Sequence, residues 1–303
     1  MIVRWGLAGL PGLLEALGIE RPLLVASPRW DALAIPVAAR WSEVPSDRIT
    51  VPREVDGILA VGGGSAIDTA KAASAASALP LVSVPTTYSG AEWTAFFGVR
   101  SPDRRQVGGG SGARLAGIVY DPELTLDLPR AESGGTAMNA LAHCVEALYP
   151  GELEVARRGA AGIDEWLPRV LEDGGDLEAR THLLEAASDA GQALAAHGFY
   201  LAHAMAQALG GRFGLPHGAM NAICLPPAMR FNAQVVPWAM TAVPVERVEE
   251  LAQLAGFERL RDFGVAETDL DDVAAAAAAR PGAQANPRPA SPAEIADLLH
   301  AVW

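Results

Sequence analysis

The stretch "MNALAHCVEALYP" (138–150) sets an amide, an imidazole and a carboxylate (Asn139, His143 and Glu146) at i, i+4 and i+7 of a helical pattern. A carboxylate at 139 beside the imidazole at 143 would make half of a divalent metal site, but the chain supplies a neutral amide there. Two further imidazoles lie in "LAHAMAQALGGRFGLPHGAMNA". A helix over 199–210 would carry His203 and Gln207 on one face, and the glycine-rich turn after it would bring back His217. Three neutral imidazoles and a carboxylate suit zinc or iron(II), with a position left open for substrate. Each histidine alone is more often a hydrogen-bonded core residue, and spacing does not show that the two helices meet. His182, His197 and His300 have no such company and read as structural or surface residues.

A second pattern points to a phosphate. "AVGGGSAIDTAK" puts Gly62, Gly63 and Gly64, followed by Ser65, between an apolar strand and the start of a helix. Glycine lets the backbone turn tightly and approach a phosphate closely, and the helix N-terminus offers free N–H groups to it. A plain left-handed turn with Ser65 as cap accounts for the same residues. The loop is not a G-x-G-x-x-G fingerprint, nor does it have the lysine and hydroxyl of a P-loop. A strand ending in "PTT" would place Thr86 and Thr87 at the carboxyl edge of the sheet, where open α/β folds bind ligands. Their β-branched side chains also simply suit a strand.

The elements that must position these residues change character along the chain. Over the first 130 residues a helix at about 9–18, strands at 22–27, 57–61 and 80–87, and a helix at 65–79 alternate, which predicts a parallel, doubly wound sheet. Residues 101–117 read as loop, and 118–129 as a strand followed by a turn. From 131 to 303 the pattern is helical, with good stretches at 135–149, 178–196, 199–210, 219–231, 245–255 and 291–301. The fold expected is an α/β domain, 1–130, followed by an all-α domain, 131–303.

Composition limits the function. The 303 residues are 50% hydrophobic and 19% charged, which argues against disorder. A net charge of −13 disfavours nucleic acid and anionic membranes as partners and leaves a small-molecule substrate. Cys144 and Cys224 sit in apolar stretches and read as buried thiols in a reducing compartment. The N-terminal Leu10, Leu13, Leu14 and Leu17 fit a helix face better than a signal peptide, and no run is long enough to span a membrane. A cytoplasmic protein is expected.

Six ordered motifs, "GGGSAIDTAK", "PTTYSGAE", "YDPELTLDLP", "MNALAHCVEALYP", "HAMAQALGGRFGLPHG" and "NPRP", resemble the iron-containing alcohol dehydrogenase superfamily, and within it the maleylacetate reductase branch. The resemblance covers nearly the whole chain. It implies a Rossmann-like dinucleotide domain and a helical domain, the architecture of dehydroquinate synthase, with NAD or NADP in the cleft between them. The reaction implied is hydride transfer between the nicotinamide and a carbonyl, alcohol or keto-acid substrate. Carried onto this chain, Gly62, Gly63, Gly64 and Ser65 would hold the diphosphate. Asp68 would lie beside the cleft, and Thr86 and Thr87 would contact the middle of the nucleotide.

The departures are as informative as the matches. Metal-dependent members bind iron or zinc through an aspartate and three histidines, matched here by Asn139, His143, His203 and His217. A further cleft histidine of the family is matched by Gln207, which cannot exchange protons near neutral pH as histidine does. Loss of the carboxylate weakens a divalent site, and the maleylacetate reductase branch, which also has "MNA", is regarded as working without metal. A metal ion is therefore admissible but not favoured. The segment between the first two of these strands has room for little more than one helix, where the family has an additional one. After the first of them, Ser27 with Arg29 nearby stands where many relatives have an acidic residue, which weakens selectivity for NAD over NADP. Arg104 and Arg105 are candidates for binding an acidic substrate, though such a pair also suits a solvated loop. The reading that results is a metal-independent reductase, with Asn139, His143, His203 and Gln207 as the reacting set. The alternatives are a metal-dependent alcohol dehydrogenase that tolerates Asn139 and a non-catalytic, cofactor-binding relative. A homodimer is allowed.

Overall fold

The computed structural model describes all residues, Met1–Trp303, as two compact units, Met1–Asp127 and Leu128–Trp303. The first contains β1 (Ile2–Trp5), α1 (Leu10–Ala16), β2 (Pro22–Val25), β3 (Ala39–Trp41), β4 (Gly57–Gly62), α2 (Gly64–Ser77) and β5 (Pro80–Pro85). A hairpin of β6 (Phe97–Arg100) and β7 (Gln106–Gly110) then precedes β8 (Arg114–Tyr120). Six strands form one parallel sheet in the order β1-β8-β5-β4-β2-β3.

Strand periodicity explains how the sheet is clothed. Ile58 and Ala60 of β4 pack with Ile67, Ala70 and Ala73 of α2, while Leu59 and Val61 pack with Leu10, Leu13 and Leu14 of α1. With both faces covered, the central strands read as continuous apolar runs instead of alternating ones. The carboxyl ends of β4 and β5 bring Gly62 beside Pro85, which delivers the glycine loop and the threonine pair to one edge.

Three features of this unit differ from the sequence expectation. β1 pairs with β8 at an edge of the sheet, although its four residues are too few to show a period. No α-helix lies between β2 and β4, in the span that has room for little more than one; a single 3₁₀ turn at Pro28–Trp30 and the short β3 fill it. Pro28, Pro36, Pro45 and Pro52 divide it, and a helix interior does not tolerate that spacing. The segment expected to be loop over 101–117 contains β7 and the start of β8. β7 is exposed throughout and ends in three glycines, a composition that signals turn more than strand.

The second unit is helical: α3 (Arg130–Ala147), α4 (Glu154–Glu172), α5 (Leu177–His197), α6 (Leu201–Phe213), α7 (His217–Asn232), α8 (Val245–Ala255), α9 (Leu270–Ala278), α10 (Pro281–Gln284) and α11 (Pro292–Ala301). No helix is long and apolar enough to cross a membrane. α4 is absent from the stretches expected, because Gly159, Gly162 and Pro168 weaken its helical signal. It is nonetheless amphipathic, burying Ala156, Ala160, Ile163, Leu167 and Val170. Cys144 on α3 and Cys224 on α7 are free and fully buried, and burial pushes both thiols up.

α3 lies in the core, with Gly134 and Gly135 among its buried residues. It meets α7 where Gly135 faces Gly218: a Cβ on Gly218 would lie 2.3 Å from the Gly135 carbonyl oxygen. Backbone touches backbone there, one residue after His217 and one helical turn before Asn139. A Cβ on Gly135 would meet nothing closer than 3.5 Å. Gly218→Ala is expected to lower stability by about 1–3 kcal/mol through overpacking, and Gly135→Ala to be near neutral. Paired thermal melts check this asymmetry; equal melting temperatures for the two variants would refute the close crossing.

Candidate active site

The centre of the helical unit is a buried carboxylate. Glu146, on α3, is fully inaccessible to solvent, yet it has no cationic arginine or lysine partner. Its Oε1 accepts the N–H of Ala202 at 2.8 Å and that of His203 at 3.4 Å, while Oε2 accepts the N–H of Tyr200 at 2.8 Å. The carboxylate thus satisfies donors at the N-terminus of α6 that a helix cannot pair internally, and the positive end of the helix dipole favours its charge. Oε2 also receives Nδ1 of His203 at 2.6 Å. Both oxygens already accept backbone N–H groups, so the imidazole is the donor in this contact. The proton is thereby fixed on Nδ1, and Nε2 is left facing away, buried and without a partner.

The three imidazoles of the sequence pattern do meet. The ring of His143 stacks on that of His203, with centroids 4.7 Å apart and planes 14° from parallel. His203 and His217 are 5.7 Å apart and tilted by 53°. Phe199 stacks on His203 as well, at 5.2 Å. Burial and the two neighbouring imidazoles hold His143 well below the ordinary histidine range, so it stays neutral. Its Nδ1 is buried without a hydrogen-bond partner.

Asn139 is joined to this group by a residue the sequence reading passed over. The Asn221 amide donates to Asn139 Oδ1 at 2.7 Å and contacts His217 Nε2 at 3.1 Å. One NH₂ group therefore occupies the amide oxygen and the imidazole lone pair that a metal ion would need. The nearly parallel rings of His143 and His203 do not aim their in-plane lone pairs at a common point. The nearby carboxylate, Glu146, is spent on the far side of His203. As arranged here, no cluster of three His, Cys, Asp or Glu side chains is placed to hold a divalent ion. Gln207 follows His203 by one turn; its Oε1 accepts Nη1 of Arg280 at 3.2 Å.

The residues expected to hold a nucleotide lie in the other unit. Gly62 has φ +145°, a conformation that favours glycine, and Gly63 is the extended residue before α2, so Ser65 is within the helix and not its cap. A Cβ on Gly63 would come within 2.7 Å of Thr87 Cγ2. Thr86 is buried and donates its N–H to the Gly62 carbonyl at 3.1 Å. The Thr87 hydroxyl is buried beside the loop without a partner. Unspent first-turn N–H groups and an orphaned hydroxyl at a strand-to-helix turn fit a diphosphate. Asp68 is committed elsewhere: it accepts Lys71 Nζ at 3.2 Å and the Gly98 N–H at 3.3 Å, tying α2 to the hairpin. Ser27 follows β2 after Ala26 and precedes the 3₁₀ turn at Pro28–Trp30, and the Arg29 guanidinium lies over the Trp30 ring at 5.1 Å.

Glu146 stands in the sequence pattern through its spacing from His143, but with no role assigned to it; of the residues missed, Asn221 had a usable signal in its i+4 spacing from His217, and Arg280 had none. Glu146→Gln would set an NH₂ group against N–H donors in a closed space. It is expected to cost about 1–3 kcal/mol and to release the His203 tautomer. Calorimetry and imidazole ¹⁵N shifts test this, and an unchanged Nδ1–H tautomer in the variant would refute the assignment.

Comparisons with known proteins identify the family. Residues 135–303 match the model of the Fe-containing alcohol dehydrogenase family, C-terminal, and residues 49–120 match that of iron-containing alcohol dehydrogenase. Maleylacetate reductase of a Pseudomonas species is 33% identical over 96% of this chain and 91% of its own. The crystal structure of a putative alcohol dehydrogenase from Ralstonia eutropha superposes with a TM-score of 0.89 at 31% identity, covering 100% of this chain and 95% of that one. That of maleylacetate reductase from Agrobacterium tumefaciens gives 0.87 at 27% identity, over 100% and 95%. A loop suited to a dinucleotide, a buried imidazole cluster and these matches lead to one assignment: the chain belongs to the iron-containing alcohol dehydrogenase family and is an NAD(P)-dependent oxidoreductase.

Proposed function

We propose that the chain is a maleylacetate reductase-like enzyme that reduces an acidic keto substrate without a metal ion. The observation that carries this reading is the Glu146–His203 pair, together with the Asn221 amide that occupies Asn139 and His217. Bound NAD(P)H supplies the hydride. Whether the hydride reaches a carbonyl carbon or an alkene conjugated to it, negative charge gathers on the carbonyl oxygen, and the chain must stabilise that charge. His203 Nε2 is the buried, unpartnered group that can hold a proton there, and Glu146 is the counter-charge for the imidazolium. His143, kept neutral, packs against it without competing for the proton. Gln207, its Oε1 engaged by Arg280, has its NH₂ left to donate a second hydrogen bond.

For the cofactor, we assign Gly62, Gly63, Gly64 and Ser65 to the diphosphate, with Thr86 and Thr87 beside it. Asp68 acts on this site through the hairpin it secures. Ser27 brings no negative charge to the end of β2, and Asp31 is paired with Arg40 at 2.5 Å. Acceptance of NADPH alongside NADH is therefore expected.

The purified protein should oxidise NADPH or NADH in the presence of maleylacetate, and activity should survive EDTA. His203→Ala should lower kcat by about 10²–10⁴-fold. Abolition by EDTA with recovery on iron(II) or zinc would refute the metal-free mechanism. In a separate fluorescence titration, Gly63→Val should weaken NADPH binding, because its side chain displaces Thr87; unchanged affinity would remove the loop from the cofactor site.

A further inference from the structure

Arg280 is a half-buried guanidinium with no acidic partner. Its hydrogen bonds go to neutral acceptors on a single residue: Nη1 to Gln207 Oε1 at 3.2 Å and Nη2 to the Gln207 carbonyl at 3.1 Å. Nε is buried and has no acceptor at all. Arg158, Arg212 and Arg247 of this unit are each paired with aspartate, whereas Arg130 caps the carbonyls of Leu171 and Leu254. A desolvated cation whose counter-charge is missing is unfavourable unless an anion completes it. Burial alone pushes this guanidinium below its ordinary range, which is the sign of that deficit.

Its position is fixed by the backbone. The segment bearing Arg280 docks on the start of α6, where a Cβ on Gly282 would lie 2.8 Å from the Tyr200 carbonyl oxygen. Tyr200 is itself held by Glu146. The side chain then lies along α6 beside Gln207, one turn beyond His203 and its unpartnered Nε2. The arginines expected from the sequence to serve an acidic substrate do not have these properties. Arg104 and Arg105 are exposed in the β6–β7 turn, and Arg105 is already paired with Asp103 at 3.4 Å.

We propose that Arg280, braced on Gln207, is the binding site for a carboxylate of the substrate and sets the preference for keto acids over neutral carbonyl compounds. The inference rests on the keto-acid reading above and deepens it. The planar guanidinium has donors to spare for a carboxylate, and Gln207, one turn after the proton donor His203 on α6, holds the anchor beside it. Capping of the α6 carbonyls accounts for one of its bonds but not for the missing counter-charge.

The test compares maleylacetate with its dimethyl ester, which has the same carbonyl and no charge. Arg280→Met is expected to reduce the ratio of kcat/KM for the diacid over the diester about 100-fold, mainly through KM of the diacid. Arg280→Lys, which keeps the charge, should recover at least about 10-fold of that ratio. An unchanged ratio in Arg280→Met, or equal loss on both substrates with no recovery in lysine, would overturn the proposal in favour of a purely structural arginine. If the wild-type protein reduces neither compound, the keto-acid reading fails by itself. The anion site is then read by calorimetric titration of the protein with maleate. Binding that weakens about 100-fold in Arg280→Met would support it, and equal binding, or none to the wild type, would refute it.

Discussion

The helical unit depends on one buried carboxylate. Glu146 accepts main-chain donors at the mouth of α6 and the imidazole of His203 at once, so the helix start and the orientation of the side chain are one interaction. A fully buried charge is tolerated only when its lone pairs are satisfied, and four donors, one of them long, do so here. From this follow the tautomer of His203, the buried and unpartnered state of its Nε2, and the stacking of His143 upon it. The same carboxylate explains why α6 starts where it does, at Leu201, after a tyrosine whose side chain provides no cap.

Around that pair the site is arranged by amides more than by charges. Asn139 in place of an acid removes a negative charge, and Asn221 then turns its donors toward the oxygen and nitrogen that would face an ion. Gln207 accepts from a guanidinium where a histidine would compete with it for protons. The replacements are mutually consistent: each trades a metal ligand or proton carrier for a hydrogen-bonding group with fixed polarity. In the metal-free mechanism proposed above, chemistry is thereby concentrated on one imidazole.

The sequence was most legible where a local rule dictated the structure. Buried strands followed by glycines marked β4 and its loop, and the i, i+4 pattern of 139 and 143 marked one wall of the site. Pairings between distant segments were opaque. Nothing near Arg280 indicates that it reaches Gln207, because the contact spans 73 residues and is set by how α10 packs on α6. α4 was missed because glycine and proline lower its helical propensity, while its packing against α3 and α5 overrides that preference. Arg104 and Arg105 drew attention for the opposite reason, since a charge run is visible in sequence whether or not it meets anything.

The strand order has a consequence for how the chain reaches this state. Ile2 pairs with Gly117 and Trp5 with Tyr120, so β1 finds its partner about 115 residues later in the chain. β2, β4 and β5 can associate well before β8 exists, but the β1 edge cannot close until then. During synthesis residues 2–5, apolar but for Arg4, therefore remain unpaired while the sheet centre forms. Closure of so long a loop makes the outer edge a late and slow event in folding. The first unit is thus expected to assemble from the middle of its sheet outward, with β1 docking last.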